Sequence, residues 1–541
     1  MSTTTLAAPS PNLLDRTRTV ARPGFNRWLV PPAALAIHLC IGMAYGFSVF
    51  WLPLTRLLGV DKPVPAPADT GMLTMLFTTA YDWRVSDVTV LYTLFFVFLG
   101  SAAAVCGGWL ERVGPRKAGL GAAICWCGGL AVSALGVHLH QLWLLWLGAG
   151  VLGGIGLGLG YISPVSTLVK WFPDRRGMAT GMAIMGFGGG AMIGSPLADA
   201  LMNWFGNGTA SRGVAATLLA MAAIYAVAML SGAFGYRVPP AGWVPEGWMP
   251  PTAASGLVTT RDVHLRDAHR TPQFWLVWLV LMLNVSAGIG VLAVASPMLQ
   301  LMFGGTLIGR PGIPFAALDA DGVRAVATVA AGFVGLLSLF NIAGRFVWAS
   351  ISDRIGRKAT YATFFALGLA LYAGSPWAAQ SGSVALFVLF MCIILSMYGG
   401  GFATVPAYLA DLFGTRFVGA VHGRLLTAWS TAGVVGPLLI TRIPEMQVAA
   451  GVPRDKAYET TLYILAALLA AGFLCNLLIR PVAPRWFMTE TTNTAIAPAA
   501  SSQGIGRGGL TPTALLAWAA VALPIAWGAA ITVSKALILF R

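Results

Sequence analysis

The feature that most limits what this chain can become is a series of about thirteen apolar runs. Each approaches the roughly twenty residues that a helix needs to cross a hydrocarbon layer. Inside such a layer every backbone N–H and C=O must be bonded within the chain, so only helices or closed barrels can span it. The runs are too long for barrel strands, which alternate in polarity and cover only about ten residues. Charged residues make up 10% of the chain, against about 25% in soluble domains. The expected fold class is therefore an all-α integral membrane protein.

The runs lie near Pro31–Leu54, Val88–Leu110, Ala118–Val137, Leu142–Leu168, Met178–Leu201, Val214–Tyr236, Phe274–Met302, Val323–Ile351, Ala359–Ala378, Val384–Ala410, Val418–Thr441, Thr460–Leu478 and Leu515–Phe540. They divide the chain into a polar tail (1–27), a first group of six spans (28–236), a Pro- and Arg-containing linker (237–272), a second group of six (273–480), a second polar tail (481–510) and a thirteenth span (511–541). The net charge is +15, but the cations are dispersed among short loops, which argues against nucleic acid as a partner and fits the excess of Lys and Arg on the cytoplasmic side of membrane proteins. Arg16, Arg18, Arg22 and Arg27 precede the first span. Arg112, Arg116 and Lys117, then Lys170, Arg175 and Arg176, then Arg354, Arg357 and Lys358, recur at alternate loops. This pattern places the N-terminus and the linker in the cytoplasm, and the protein in the cell (inner) membrane. The six cysteines all fall in apolar runs and read as small buried hydrophobes, and no metal-ligand or cofactor motif is present.

The two groups of spans repeat. A constant offset of 242 positions carries Glu111 onto Asp353, Arg112 onto Arg354, Gly114 onto Gly356, Pro164 onto Pro406, Gly177 onto Gly419, Gly181 onto Gly423 and Gly194 onto Gly436. Glycine is abundant, so single matches carry little; one offset held across several spans is the signature of a transporter built from repeats, with its site near the midplane.

Asn341–Lys358, NIAGRFVWASISDRIGRK, runs from an apolar segment into a charge cluster. Arg345 precedes Asp353 by eight residues, which is roughly 12 Å of helix rise. If the cluster marks a membrane surface, Arg345 lies within the bilayer, where an ionised side chain marks a functional site. Its depth argues against snorkelling to the surface. The equivalent position in the first half is Ala103, so Arg345 is an asymmetric addition to a symmetric scaffold.

The charged turns at Gly107–Lys117 (GGWLERVGPRK) and Ser352–Lys358 (SDRIGRK) resemble the Gly-x-x-x-Asp-Arg-x-Gly-Arg-Lys signature of the major facilitator superfamily. Glu111 stands in place of the acid, and Pro115 precedes Arg116. The resemblance implies a bundle of two six-helix halves, here with an extra C-terminal helix, working by alternating access. It also implies gating roles for Glu111, Arg112, Arg116, Asp353, Arg354 and Arg357. GYISP at Gly160–Pro164, WFPDRRG at Trp171–Gly177, RTPQFW at Arg270–Trp275, NVSAGIG at Asn284–Gly290 and the NxxGR of Asn341–Arg345 resemble the oxalate/formate antiporter family within it. That likeness implies a carrier of small carboxylates. It also implies an Arg on the eighth helix, matched by Arg345, and a Lys on the eleventh, where this chain has Trp429.

With one strong cation instead of two, the expected substrate is a small monocarboxylate such as formate, lactate or pyruvate, with oxalate as the alternative. Arg345 is expected to clamp the carboxylate. Trp429, its repeat equivalent Phe187, and Tyr45, Tyr161, Tyr398 and Phe402 are expected to line the cavity with Asn284 and Asn341. His38 is the one titratable group well inside a span suited to proton coupling. The thirteenth span is expected to pack on the outside of a bundle that works as a monomer. No nucleophile–base constellation or phosphate loop points to an enzyme. A carrier of a different solute and a non-transporting sensor of the same fold are the competing readings.

Overall fold

The computed structural model describes residues 12–59, 64–67, 69–249, 256–488 and 511–536. The first eleven residues, the Asp61–Lys62 loop, most of the polar tail 481–510 and the end of the thirteenth span lie outside these. Among the described residues, thirteen helices are long and apolar enough to cross a membrane. They are α1 (Arg27–Leu54), α2 (Val85–Val113), α3 (Pro115–His138), α4 (Leu142–Trp171), α5 (Arg176–Phe205) and α6 (Ala210–Gly235), followed by α7 (Pro272–Phe303), α8 (Ala320–Ile355), α9 (Arg357–Gln380), α10 (Val384–Phe413), α11 (Val418–Ala449), α12 (Glu459–Leu478) and α13 (Pro512–Ala536).

Several helices outrun their apolar stretches because their ends are fixed by polar caps. The Asp319 side chain accepts the Gly322 N–H at 3.0 Å and starts α8. The Thr271 hydroxyl accepts the Phe274 N–H at 3.3 Å and starts α7, with Pro272 in the first turn. The α2–α3 and α8–α9 turns each reverse at a glycine, Gly114 at φ 87° and Gly356 at φ 86°. Only glycine adopts this conformation without strain, and the two positions are repeat equivalents.

The helices of each half pack mainly on one another, and the halves meet along two seams, α5 on α8 and α10, and α2 on α11. The sequence repeat appears in the contacts. Gly181 of α5 packs against the Arg345 backbone, and its equivalent Gly423 of α11 packs against the Ala103 backbone. Gly177 lies against Asp353, and its equivalent Gly419 against Glu111. Small residues let these backbones approach closely, the usual basis of helix association where apolar side chains gain nothing by leaving lipid. Three helices depart from regular geometry: α1 tightens to a 3-10 stretch at Gly42–Phe50, α4 widens to a π stretch at Trp146–Gly153, and α11 breaks at Leu426.

The linker is tied down at its second end. The Thr259 and Val263 N–H groups donate to the Asp411 and Phe413 carbonyls at 2.8 and 2.9 Å. Helix α13 lies against α8, α5 and α1, so it touches both halves. Trp518 Nε1 donates to the Trp28 carbonyl at 3.1 Å, Gly528 lies on Met192 and Ile193, and Thr532 lies on Gly335.

If these contacts anchor α13, Gly528→Leu should force the helix off α5. An overpacked contact costs about 1–3 kcal/mol. We expect a fall of a few degrees in the unfolding temperature by scanning fluorimetry in detergent. Leu523→Ala, at a side chain 69% exposed, should leave it unchanged.

Candidate functional site

One end of the bundle carries the charged turns. There the Asp353 carboxylate accepts the N–H groups of Gly177 and Met178, at the start of α5, at 2.8 and 2.9 Å. An anion at a helix N-terminus meets unpaired donors and a favourable dipole, so this acid of α8 caps a helix of the opposite half. Arg357 donates to Asp353 at 2.6 Å and to Asp411 of α10 at 3.2 Å, and Arg176 reaches Asp411 at 3.1 Å. The Thr180 hydroxyl adds a bond to the Ala403 carbonyl at 2.7 Å. Four helices are joined across the α5–α8 seam by this network.

The repeat-related seam is built differently. Glu111 accepts Lys170 Nζ at 2.8 Å and the Ser166 hydroxyl at 3.0 Å, both on α4 of its own half. The longer acid turns toward a neighbour, and Gly419 of α11 merely packs on it. Of the remaining arginines in the charged turns, Arg112 bonds, among the described residues, only back to its own helix at the Gly108 carbonyl (3.4 Å), and Arg116 donates to the Leu13 carbonyl in the N-terminal segment (2.7 Å). Arg354 is exposed. These three do not bridge the halves in this structure.

Deeper in the bundle, Arg345 is completely buried. Its Nε donates to Asn341 Oδ1 at 2.9 Å and Nη1 to the Ile184 carbonyl at 3.2 Å, while Nη2 has no hydrogen-bond partner among the described residues. The guanidinium carbon lies 5.6 Å from the Phe187 ring centre and 5.4 Å from that of Phe402, within cation–π range. Among the described residues no carboxylate lies within ion-pairing distance of it. Tyr45, Tyr161 and Tyr398 all lie within its electrostatic reach.

Around this cation the rings form a chamber. Trp429, fully buried, has its ring 4.6 Å from Phe402, 5.3 Å from Tyr161, 5.3 Å from Phe187 and 6.2 Å from Tyr45. Among the described residues, its Nε1 and the Tyr161 hydroxyl have no hydrogen-bond partner. The Tyr45 and Tyr398 hydroxyls bond to each other at 2.9 Å, linking α1 to α10 across the halves. The irregular stretches of α1 and α11 carry Tyr45 and, just past the break, Trp429; departures from regular helix turn these rings inward.

Eight of the nine residues expected at the substrate site thus converge. Asn284 shares a small cavity with Tyr372 and Tyr398 rather than touching the guanidinium, and its Oδ1 is buried without a partner. His38 sits beside the chamber with Nδ1 2.6 Å from the Ala183 carbonyl and Nε2 3.3 Å from that of Tyr161. Sequence reasoning missed Phe96, whose ring lies 5.5 Å from Trp429, and the latch partners Arg176, Asp411 and Lys170. Their only sequence signal was a charge at a helix end, which also fits simple orientation in the membrane.

The Major Facilitator Superfamily profile matches residues 66–437, well over half of the chain. The oxalate:formate antiporter of Oxalobacter formigenes is 24% identical over 412 residues, covering 76% of this chain and 83% of that protein. Apicoplast pyruvate carrier 1 of Toxoplasma gondii is 24% identical over 508 residues, covering 81% and 86%. Among solved structures, the Escherichia coli fucose:proton symporter aligns with a TM-score of 0.54 at 13% identity, over 83% of this chain and 99% of that one, a likeness of fold alone. With thirteen membrane-length helices built on an all-α plan, this chain belongs to the major facilitator superfamily, a family of membrane transporters rather than enzymes.

Proposed function

We propose that this transporter carries small carboxylates by alternating access, and favours monocarboxylates the size of formate, lactate or pyruvate over oxalate. The observation that carries the reading is Arg345: a buried guanidinium that, among the described residues, has no carboxylate beside it and an unpaired Nη2. A buried donor left unbonded costs about 1–3 kcal/mol, more when charged. A carboxylate supplies both the missing acceptor and the counter-charge, in the bidentate geometry that guanidinium favours.

The chamber supports the preference for one negative charge. Opposite Arg345 stands Trp429, which offers a ring face and a single N–H rather than a second cation. The unpaired hydroxyl of Tyr161 and the indole N–H of Trp429 are suited to hydrogen-bond the remainder of a small acid. The names of the relatives point the same way, to oxalate and formate in one case and pyruvate in the other. Basic loops favour the cytoplasmic side for the charged end, with the N-terminus there and the chain in the cell (inner) membrane. We read closure at that end by the Asp353 network as a state shut toward the cytoplasm.

We read His38, with both ring nitrogens near carbonyls, as a positioned histidine of the bundle. Anion exchange, or entry of a protonated acid, needs no relay through it.

In proteoliposomes, Arg345→Ala is expected to abolish radiolabelled formate and pyruvate uptake while the protein still inserts and melts normally. Arg345→Lys, which keeps the charge but not the fork, should lower uptake about tenfold or more. Normal uptake by Arg345→Ala would remove the site assignment. Trp429→Lys adds a second cation, and we expect the ratio of oxalate to formate uptake to rise; an unchanged ratio would count against Trp429 as the determinant of substrate charge.

A further inference from the structure

His422 lies on the first segment of α11, Val418–Leu425, and is completely buried. Neither of its ring nitrogens has a hydrogen-bond partner among the described residues. The contrast with His38, which has a carbonyl oxygen within hydrogen-bonding distance of each ring nitrogen, is sharp. An ordinary buried histidine is bonded on at least one side, because an unpaired buried polar group costs free energy.

Its location is specific. One turn before it, Gly419 packs on Glu111 and Ser166; one residue after it, Gly423 packs on the Ala103 backbone. The Tyr161 ring centre lies 5.9 Å from that of His422 and 5.3 Å from that of His38. His422 is therefore a side chain of the second half embedded in α2 and α4 of the first, toward the charged end. This is the seam without a carboxylate latch across it.

The surrounding charges are already committed or distant. On α2 Glu111 is bonded to Lys170 and Ser166, with Lys170 on α4; on α10 Asp411 is bonded to Arg176 and Arg357. Arg424, on the same segment, bonds to the Leu265 carbonyl and His269. The 265–268 turn carries Arg266 and Asp267, and α7 carries no charged residue. Tyr161 on α4 and His38 on α1 are the titratable groups nearest the imidazole, and neither carries a negative charge. Nothing in the closed seam is placed to stabilise an imidazolium.

We propose that His422 is a proton-binding site that sets the balance between the closed and open forms of the charged end. This rests on the alternating-access reading, in which α2 and α11 separate there. In the closed seam the ring is buried with neither nitrogen bonded. Once the seam parts it meets water, where an imidazole takes up a proton in mildly acidic solution. The group thus binds a proton more readily in the open form, so protonation favours opening. Below about pH 6.5 each further pH unit multiplies the open-to-closed ratio up to about tenfold, and above it the effect vanishes. Because the proton enters and leaves on the same side, it regulates the cycle without being carried across. An acidifying compartment at the charged end would hold the carrier open toward itself.

The test is a distance measurement between spin labels at Arg112 and Arg416, exposed positions at the charged end of α2 and just ahead of α11, with the native cysteines replaced. Lowering the pH from about 8 to about 5.5 is expected to increase the long-distance population by up to about tenfold. His422→Gln should make it insensitive to pH, His422→Asn should do the same, and His38→Gln should keep the response. A wild-type protein with no pH response overturns the proposal whatever the variants do, as does a response that survives in both His422 variants or disappears with His38→Gln. Formate serves as the control for alternating access: distances that shift with formate but not with pH reject His422 alone, whereas a single distance under every condition rejects the moving seam itself. Neither outcome depends on Arg345.

Discussion

A single guanidinium kept at membrane depth without a counter-ion is the constraint to which the interior answers. In hydrocarbon such a charge is expensive, and here it is supported by one side-chain amide, one carbonyl and two aromatic faces. That support is incomplete, because Nη2 is left over. The chamber around it holds Arg345 in place and excludes water. On the function proposed here, an anion entering the chamber would complete a coordination that the protein leaves unfinished.

The scaffold that holds this charge is a repeated one, and its functional content lies in the places where the repeat is broken. Gly181 with Arg345 and Gly423 with Ala103 are equivalent contacts, so the backbones cross alike while only one of the two carries a cation. Asp353 reaches the N-terminus of a helix in the opposite half; the longer Glu111 turns to Lys170 within its own. One seam is thus latched by charge-assisted bonds, and the other is held by packing and by a neutral bond from the Ser430 hydroxyl to the Phe96 carbonyl. Helix α13 adds a third asymmetry, since its main contacts among the described residues are with α8, α5 and α1 and not with the α2–α11 seam.

Much of the candidate site was legible before folding. The depth of Arg345 follows from helix rise and from the charge cluster eight residues on, and the pairing of Trp429 with Phe187 follows from the repeat offset. Asn284 read as a site residue because it lies in the same run of motifs, yet helix rotation sets it against Tyr372 and Tyr398. Arg112, Arg116 and Arg354 were indistinguishable in sequence from Arg357, because a charge at a helix end does not reveal which neighbour faces it. Phe96 and His422 gave no local signal at all: each sits in an ordinary apolar run and becomes notable only through residues hundreds of positions away.

The sequence by itself determined the all-α membrane class, the number and approximate limits of the spans, the internal repeat and the presence of a cation, Arg345, deep within a span. These depend on composition, length and periodicity, which are properties of the chain in one dimension. Only the tertiary structure decided which rings face Arg345, that no carboxylate accompanies it, which acid bridges the halves and where α13 rests. Those depend on helix rotation and on contacts between distant segments, fixed by close packing at glycine-lined seams rather than by any local pattern of residues.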